Sequence, residues 1–168
     1  MRARFNQVDG QLYVCGLKGW QTRAAKDGAF QRVRYTGKPI RMPTEFHVKP
    51  GELVMTFSDP VDSSVAADPD NWNIEQWNYI FRFEYGSPDM SVADPKKKGH
   101  DTVDIDSIEV SPDKKTVTLK IKDLKPVMQM KILMKIKSAD GTPMDWEIDN
   151  TINEIPGGKP IAVKQPAN

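Results

Sequence analysis

Between Glu52 and Ile74 the chain reads ELVMTFSDPVDSSVAADPDNWNI, and this stretch constrains the fold more than any other. Leu53, Met55 and Phe57 alternate with Val54 and Thr56, so one face is wholly apolar at the two-residue period of a pleated strand. Ser58, Asp59, Pro60 and Asp62 then supply turn chemistry, because Pro fixes φ and removes a donor while Asp and Ser bond to nearby backbone. Residues Ser63 to Asp68 have room for one helical turn, and Asp68-Pro69-Asp70-Asn71 is a second turn signal before a new strand at Trp72. The order is strand, acidic Pro turn, small crossover, strand.

The rest of the chain repeats that grammar. Strands are predicted over Gln11 to Leu17 and Phe30 to Tyr35, joined by a Gly-bounded loop, and two strands are too few for independent stability. A linker follows from Thr36 to Pro43, with a boundary near Met42 to Glu45. Phe46 to Lys49 reads as an edge strand before the Pro50-Gly51 turn. Beyond Trp72 and Ile74 the aromatic set moves to odd positions, Trp77, Tyr79, Phe81, Phe83 and Tyr85, which predicts a bulge near Glu75-Gln76 and an inward aromatic face.

Gly86 to Gly99 is a long loop carrying Lys96-Lys97-Lys98, a length that marks function or mobility. Val103, Ile105, Ile108 and Val110 predict one strand with a phase slip at Asp106-Ser107. Val117, Leu119 and Ile121 line the inward face of its hairpin partner. Met128, Met130, Ile132, Met134 and Ile136 share a face, and Trp146 to Ile152 gives a last strand. Short strands, turn signals and no long helix predict an all-β chain, an antiparallel β-sandwich with a short N-terminal β-hairpin appendage. Trp72 and the methionine stripe are its core candidates.

Two resemblances extend this reading. The run LVMTFSDPVDSSVAADPDNWNI resembles the opening of bacterial Ig-like domains found in S-layer and other secreted multidomain proteins. GLKGWQT, FQRVRYTGKP, QWNY, YGSPD and LKPVMQMKI resemble the C-terminal part of very large secreted proteins of planctomycete-type bacteria, where such a segment follows a propeller similar to soluble sugar dehydrogenases. The resemblance implies residues 1–43 as the end of a last propeller blade plus linker, 44–155 as an Ig-like β-sandwich, and 156–168 as a flexible tail. It also implies an extracellular or periplasmic location. The N-terminal residues carry no signal-peptide pattern, so the chain is expected to be a piece of a longer protein.

Composition narrows the function classes. With 24 basic and 23 acidic residues the net charge is +1, which predicts no global field for nucleic acid, and no apolar run is long enough for membrane insertion. Cys15, the single cysteine, lies in an apolar run and is expected to be buried and inert.

No recognisable Ser-His-Asp or Cys-His arrangement involves His47 or His100, and no GxSxG elbow exists, so no enzyme activity, catalytic residue or cofactor is expected. Met128, Met130 and Met134 with a histidine have copper-ligand character, yet they share a strand face with Ile132 and Ile136, and core packing is the reading adopted. The aspartates at 59, 62, 68 and 70, and at 101, 104 and 106, lack the calcium-loop pattern and read as turn formers.

Trp77, Tyr79, Tyr85 and Trp20 remain as candidate ligand-binding residues, able to offer ring faces to sugars; the competing reading makes this stripe the sandwich core. The expected function is a non-catalytic Ig-like structural or interaction module of an exported multidomain protein. Its partners would be neighbouring domains of a longer chain or another protein. The alternatives are a carbohydrate-binding module with polysaccharide as partner, and an accessory segment of a quinone-dependent sugar-dehydrogenase-like protein.

Overall fold

The computed structural model describes residues 2–17, 19, 28–80, 82–83 and 85–158. Backbone contacts divide the chain into two units, Met1–Ile40 and Arg41–Asn168.

The first unit is a three-stranded antiparallel sheet of β1 (Arg2–Phe5), β2 (Leu12–Leu17) and β3 (Gly28–Val33), in that order. The two strands expected of a hairpin are present, and β1 adds a third. Asn6 N–H donates to the Gln11 carbonyl at 2.9 Å, and Gly10, at φ 66°, returns its N–H to the Asn6 carbonyl at 2.8 Å. Phe5, Leu12 and Val33 form one cross-strand row; Arg4, Tyr13 and Arg32 form another on the opposite face. Every residue of β1 and β3 is exposed. Cys15 is exposed as well, against expectation, because it lies between two strands whose residues are all exposed.

The second unit is a β-sandwich. One sheet has the order β4-β5-β10-β9, from β4 (Pro43–Lys49), β5 (Glu52–Phe57), β9 (Ser107–Val110) and β10 (Thr116–Lys120). The other runs β12-β11-β6-β7, from β6 (Trp72–Tyr79), β7 (Asp89–Met90), β11 (Val127–Lys137) and β12 (Pro143–Ile152), with β8 (Asp101–Thr102) also paired to β6. Arg41 and Met42, expected in a linker, are tied to this unit: Trp146 Nε1 donates to the Arg41 carbonyl at 2.9 Å and Ser58 N–H to the Met42 carbonyl at 2.9 Å. Among the described residues no helix is long and apolar enough to cross a membrane.

Register explains the core. In the first sheet Val48, Leu53, Leu119 and Ile108 stand in one row, and Phe46, Met55, Val117 and Val110 in the next. In the second, Trp72, Met134 and Trp146 share a row, and Ile74, Ile132 and Ile148 share another. The inner faces meet in one cluster that includes Phe57, Met130, Ile136, Met144 and Ile152. Burying each such side chain contributes roughly 1.5–3 kcal/mol.

The Glu52–Ile74 stretch carries the chain from one sheet to the other. Asp62 caps α1 (Ser63–Ala66) by accepting from the N–H groups of Ser64 and Val65. Asp68 caps the 3-10 turn Pro69–Asn71 by accepting from Asp70 N–H. Trp72 Nε1 then donates to the Ala66 carbonyl at 3.0 Å, so the crossover is bolted to the strand it delivers.

Three phase expectations change. The register of β6 with β11 runs unbroken from Trp72↔Met134 to Trp77↔Gln129, so the predicted bulge near Glu75-Gln76 is absent. Trp77 and Tyr79 therefore project away from the core, opposite to Trp72 and Ile74. A bulge occurs instead in β11 between Val127 and Met130, and it removes Met128 from the buried methionine face. The slip at Asp106-Ser107 is a change of sheet, since β8 pairs with β6 and β9 with β10.

Candidate functional site

The outer face of β6 gathers polar and aromatic groups from three segments. Glu75 and Trp77 lie two apart on this strand and so project to the same side. β7 and the turn that follows it bring Asp89 and His100 alongside. The His100 imidazole stacks on the Trp77 indole, with centroids 3.9 Å apart and planes 7° from parallel. Its Nε2 is 2.8 Å from Asp89 Oδ2 and its Nδ1 is 3.1 Å from Glu75 Oε2.

Ionised carboxylates only accept, so satisfying both contacts requires a donor on each ring nitrogen, which is the imidazolium. The hydrogen bond to Asp89, followed by that to Glu75, raises the His100 pKa above its ordinary value of 6.5. The cation in turn is attracted to the negative face of the indole. The arrangement is a clasp between β6 and β7, with the ring stack as its third contact.

The segment from Gly86 to Gly99 is folded against this clasp. Asp101 accepts from Ser91 Oγ at 2.7 Å, Val92 N–H at 2.6 Å and Ala93 N–H at 2.9 Å. Burial pushes the Asp101 pKa up, but the bonds from Ser91, Ala93 and Val92 together outweigh it, and the net shift is downward. Ser91 N–H donates to the Lys97 carbonyl and Gly99 N–H to the Asp89 carbonyl, which closes the loop on itself. Met90 and Ser91 are buried as a result.

Of the predicted ligand-binding residues, Trp77 is half-buried, and one face of its ring is taken by His100. Tyr79 ends β6 and is exposed; its N–H donates to Met128 Sδ at 3.4 Å. Tyr85 lies beyond the strand, fully exposed together with Phe83. Trp20 lies outside the described residues. Trp77, Tyr79, Phe83 and Tyr85 thus lie outside the sandwich core, and Phe81 of the same stripe lies outside the described residues. Trp146 is partly buried against the core instead, beside a cleft of ≈ 370 Å³ between the edge strands β4 and β12 that Phe46 and Ile148 also line.

His100, Glu75 and Asp89 were not legible as a group in the sequence, because their separations of 25 and 11 residues follow no motif. His47 lies beside Glu45, at 3.4 Å on an exposed strand face. Met130 and Met134 are core residues, whereas Met128 is not. Among the described residues no group of three or more His, Cys, Asp or Glu is placed to hold a metal ion.

No family model matches the chain, and no curated protein matches it. Two solved structures are similar to the chain: the surface layer protein SbsC, domains 1-6, and the S-layer protein rSbsC(31-844). Each is 16% identical with a TM-score of 0.44, over 66% of this chain. The chain spans only 13% of the length of either. These similarities give no support to the propeller, dehydrogenase or planctomycete context.

Proposed function

We propose that the chain is a non-catalytic, Ig-like structural and interaction module of an exported multidomain protein, and that its N-terminal sheet is a docking element for a neighbouring domain. One observation carries this reading. Among the residues from 2 to 40 whose side chains are described none is buried, although Ala3, Phe5, Leu12, Val14 and Val33 share one face of the sheet. Phe5 is 72% exposed and Val33 49%. A three-stranded sheet whose apolar face is left partly exposed gains stability when that face is buried.

The sandwich supports the same role in a different way. Its own core is complete, and its outer face is held by the His100 clasp, so it can act as a rigid spacer. The domain plan that follows is a blade-end segment with linker over 1–43, a sandwich over 44–155 and a tail over 156–168. An accessory place beside a sugar-dehydrogenase-like propeller would set the same apolar face against an adjoining blade.

Hydrogen exchange of the isolated chain tests the docking role. Amides of β1 to β3 should exchange orders of magnitude faster than those of β11, since exchange follows local opening. Equal protection in the two units would show an N-terminal sheet that is stable without a partner and would remove the basis of the reading.

A further inference from the structure

The near-neutral charge of the whole chain conceals two unlike units. Residues 1–40 hold eight Lys and Arg against two Asp, a net charge of +6. Residues 41–168 hold 16 basic and 21 acidic residues, a net charge of −5. The expectation of no global field concerns the sum of the two, whereas the first unit by itself is strongly basic.

Three of its cations share one face of the N-terminal sheet, opposite the Phe5, Leu12 and Val33 row. Directly paired residues of antiparallel strands project to the same side. Pairing therefore aligns Arg4 with Tyr13 and Arg32, and Arg2 with Cys15 and Phe30 in the adjacent row of that face. Within it the Tyr13 and Phe30 rings stack at 5.5 Å with planes 22° apart. The arginines are exposed, and Phe30 is 75% exposed. A shallow hollow of ≈ 380 Å³ is lined by Arg4, Phe5, Asn6, Tyr13 and Phe30.

Asp9 is the single acid among the described residues of this unit, and it is already engaged. It accepts from Gln11 N–H at 3.0 Å and from the Tyr13 hydroxyl at 2.8 Å, which fixes the ring, and its charge also interacts with that of Arg32.

We propose that this basic, aromatic face binds an acidic polysaccharide, with Arg4 and Arg32 on uronate carboxylates and the Tyr13–Phe30 pair under a sugar ring. Guanidinium groups present a planar fork that matches a carboxylate bidentately, which selects an anion. The flat apolar rings select a ligand that brings a ring of its own. Nucleic acid fits less well. Sequence-tolerant binding of single strands stacks successive bases on separate aromatic side chains, and here the two rings are stacked on each other as one platform. The face used is the reverse of the docking face, so both can be occupied at once.

The test is fluorescence anisotropy of the full chain with labelled oligogalacturonate at low ionic strength, alongside a neutral glucan and an oligodeoxythymidylate. Binding of the uronate probe should weaken as salt is added, as screening of exposed charges requires. The double variant Arg4→Glu/Arg32→Glu should lose about tenfold or more in affinity, since two charge-assisted contacts are reversed. Lys96→Glu/Lys97→Glu changes the net charge equally on the other unit and should bind as the parent does. Val33→Ser, on the reverse face and outside this hollow, should also bind normally, which separates this site from the docking role. Absence of binding at low salt, equal loss in the Lys96/Lys97 variant, or tighter binding of the oligodeoxythymidylate would each overturn the proposal. Thermal melts of the variants exclude unfolding as the cause of any loss.

Discussion

The His100 imidazole lies flat on the Trp77 indole at a centroid separation of 3.9 Å, while Asp89 and Glu75 hold its two nitrogens. This pairing joins a residue at the middle of β6 to one at the end of a long loop. It makes the outer sheet face sensitive to protonation.

The folded-state pKa of His100 is raised above 6.5, first by the Asp89 hydrogen bond and then by that of Glu75. Its contribution to stability is therefore complete below the unfolded value near 6.5 and is lost as pH rises through the folded value. With the side chains about a third exposed or more, solvent screening keeps the contribution on the order of 1 kcal/mol. The melting temperature should fall by roughly 2–4 °C across that window. A His100→Gln variant should show a flat profile over the same range. An unchanged pH dependence in the variant would mean that another group is responsible.

Two tryptophans on one strand should behave differently. Trp72 faces the core and its Nε1 donates to Ala66, so Trp72→Ala should cost about 3–5 kcal/mol in urea unfolding. Trp77 faces outward, and Trp77→Ala should leave a folded protein that has lost about 0.5–2 kcal/mol of stacking. Comparable losses at the two positions would contradict the unbroken register of β6.

Asp101→Ala should open the 91–99 segment without unfolding the sandwich. The change strands the Ser91 hydroxyl and the part-buried Val92 N–H, at about 1–3 kcal/mol for a buried group left unpaired, while the exposed Ala93 N–H turns to water. The readout is tryptic cleavage at Lys96, Lys97 and Lys98, which should accelerate while the melting transition stays cooperative. Unaltered cleavage would show that the segment holds its shape by other means.

Lys114 is the one described residue other than glycine with a positive φ, at 59°. It closes the turn that begins at Ser111, to whose carbonyl its N–H donates at 2.9 Å. Left-handed backbone costs a residue with Cβ about 1–2 kcal/mol. Lys114→Gly should therefore raise stability by about 0.5–1 kcal/mol after the added entropy of the unfolded chain is offset. A urea midpoint at or below that of the parent would show that the side chain contributes more than its backbone strain costs.

Alternation alone determined most of the sandwich. Leu53, Met55 and Phe57, Val117 and Leu119, and Met130 through Ile136 each fix a strand and its inner face, because a two-residue period is a local property of pleated backbone. The turn residues between Ser58 and Asp70 likewise set the crossover, through caps that reach only two or three residues ahead. Tertiary structure decided which side of β6 the aromatics occupy, since Trp77 and Tyr79 have the composition of a buried face and only pairing with β11 settles the register. It also decided the fate of the phase changes, one of which is a bulge at Met128 and another a move between sheets. The clasp of His100 and the basic face of Arg4, Tyr13 and Arg32 arise the same way: charge and ring contacts depend on distance in space, and strand pairing brings together residues that no local period relates.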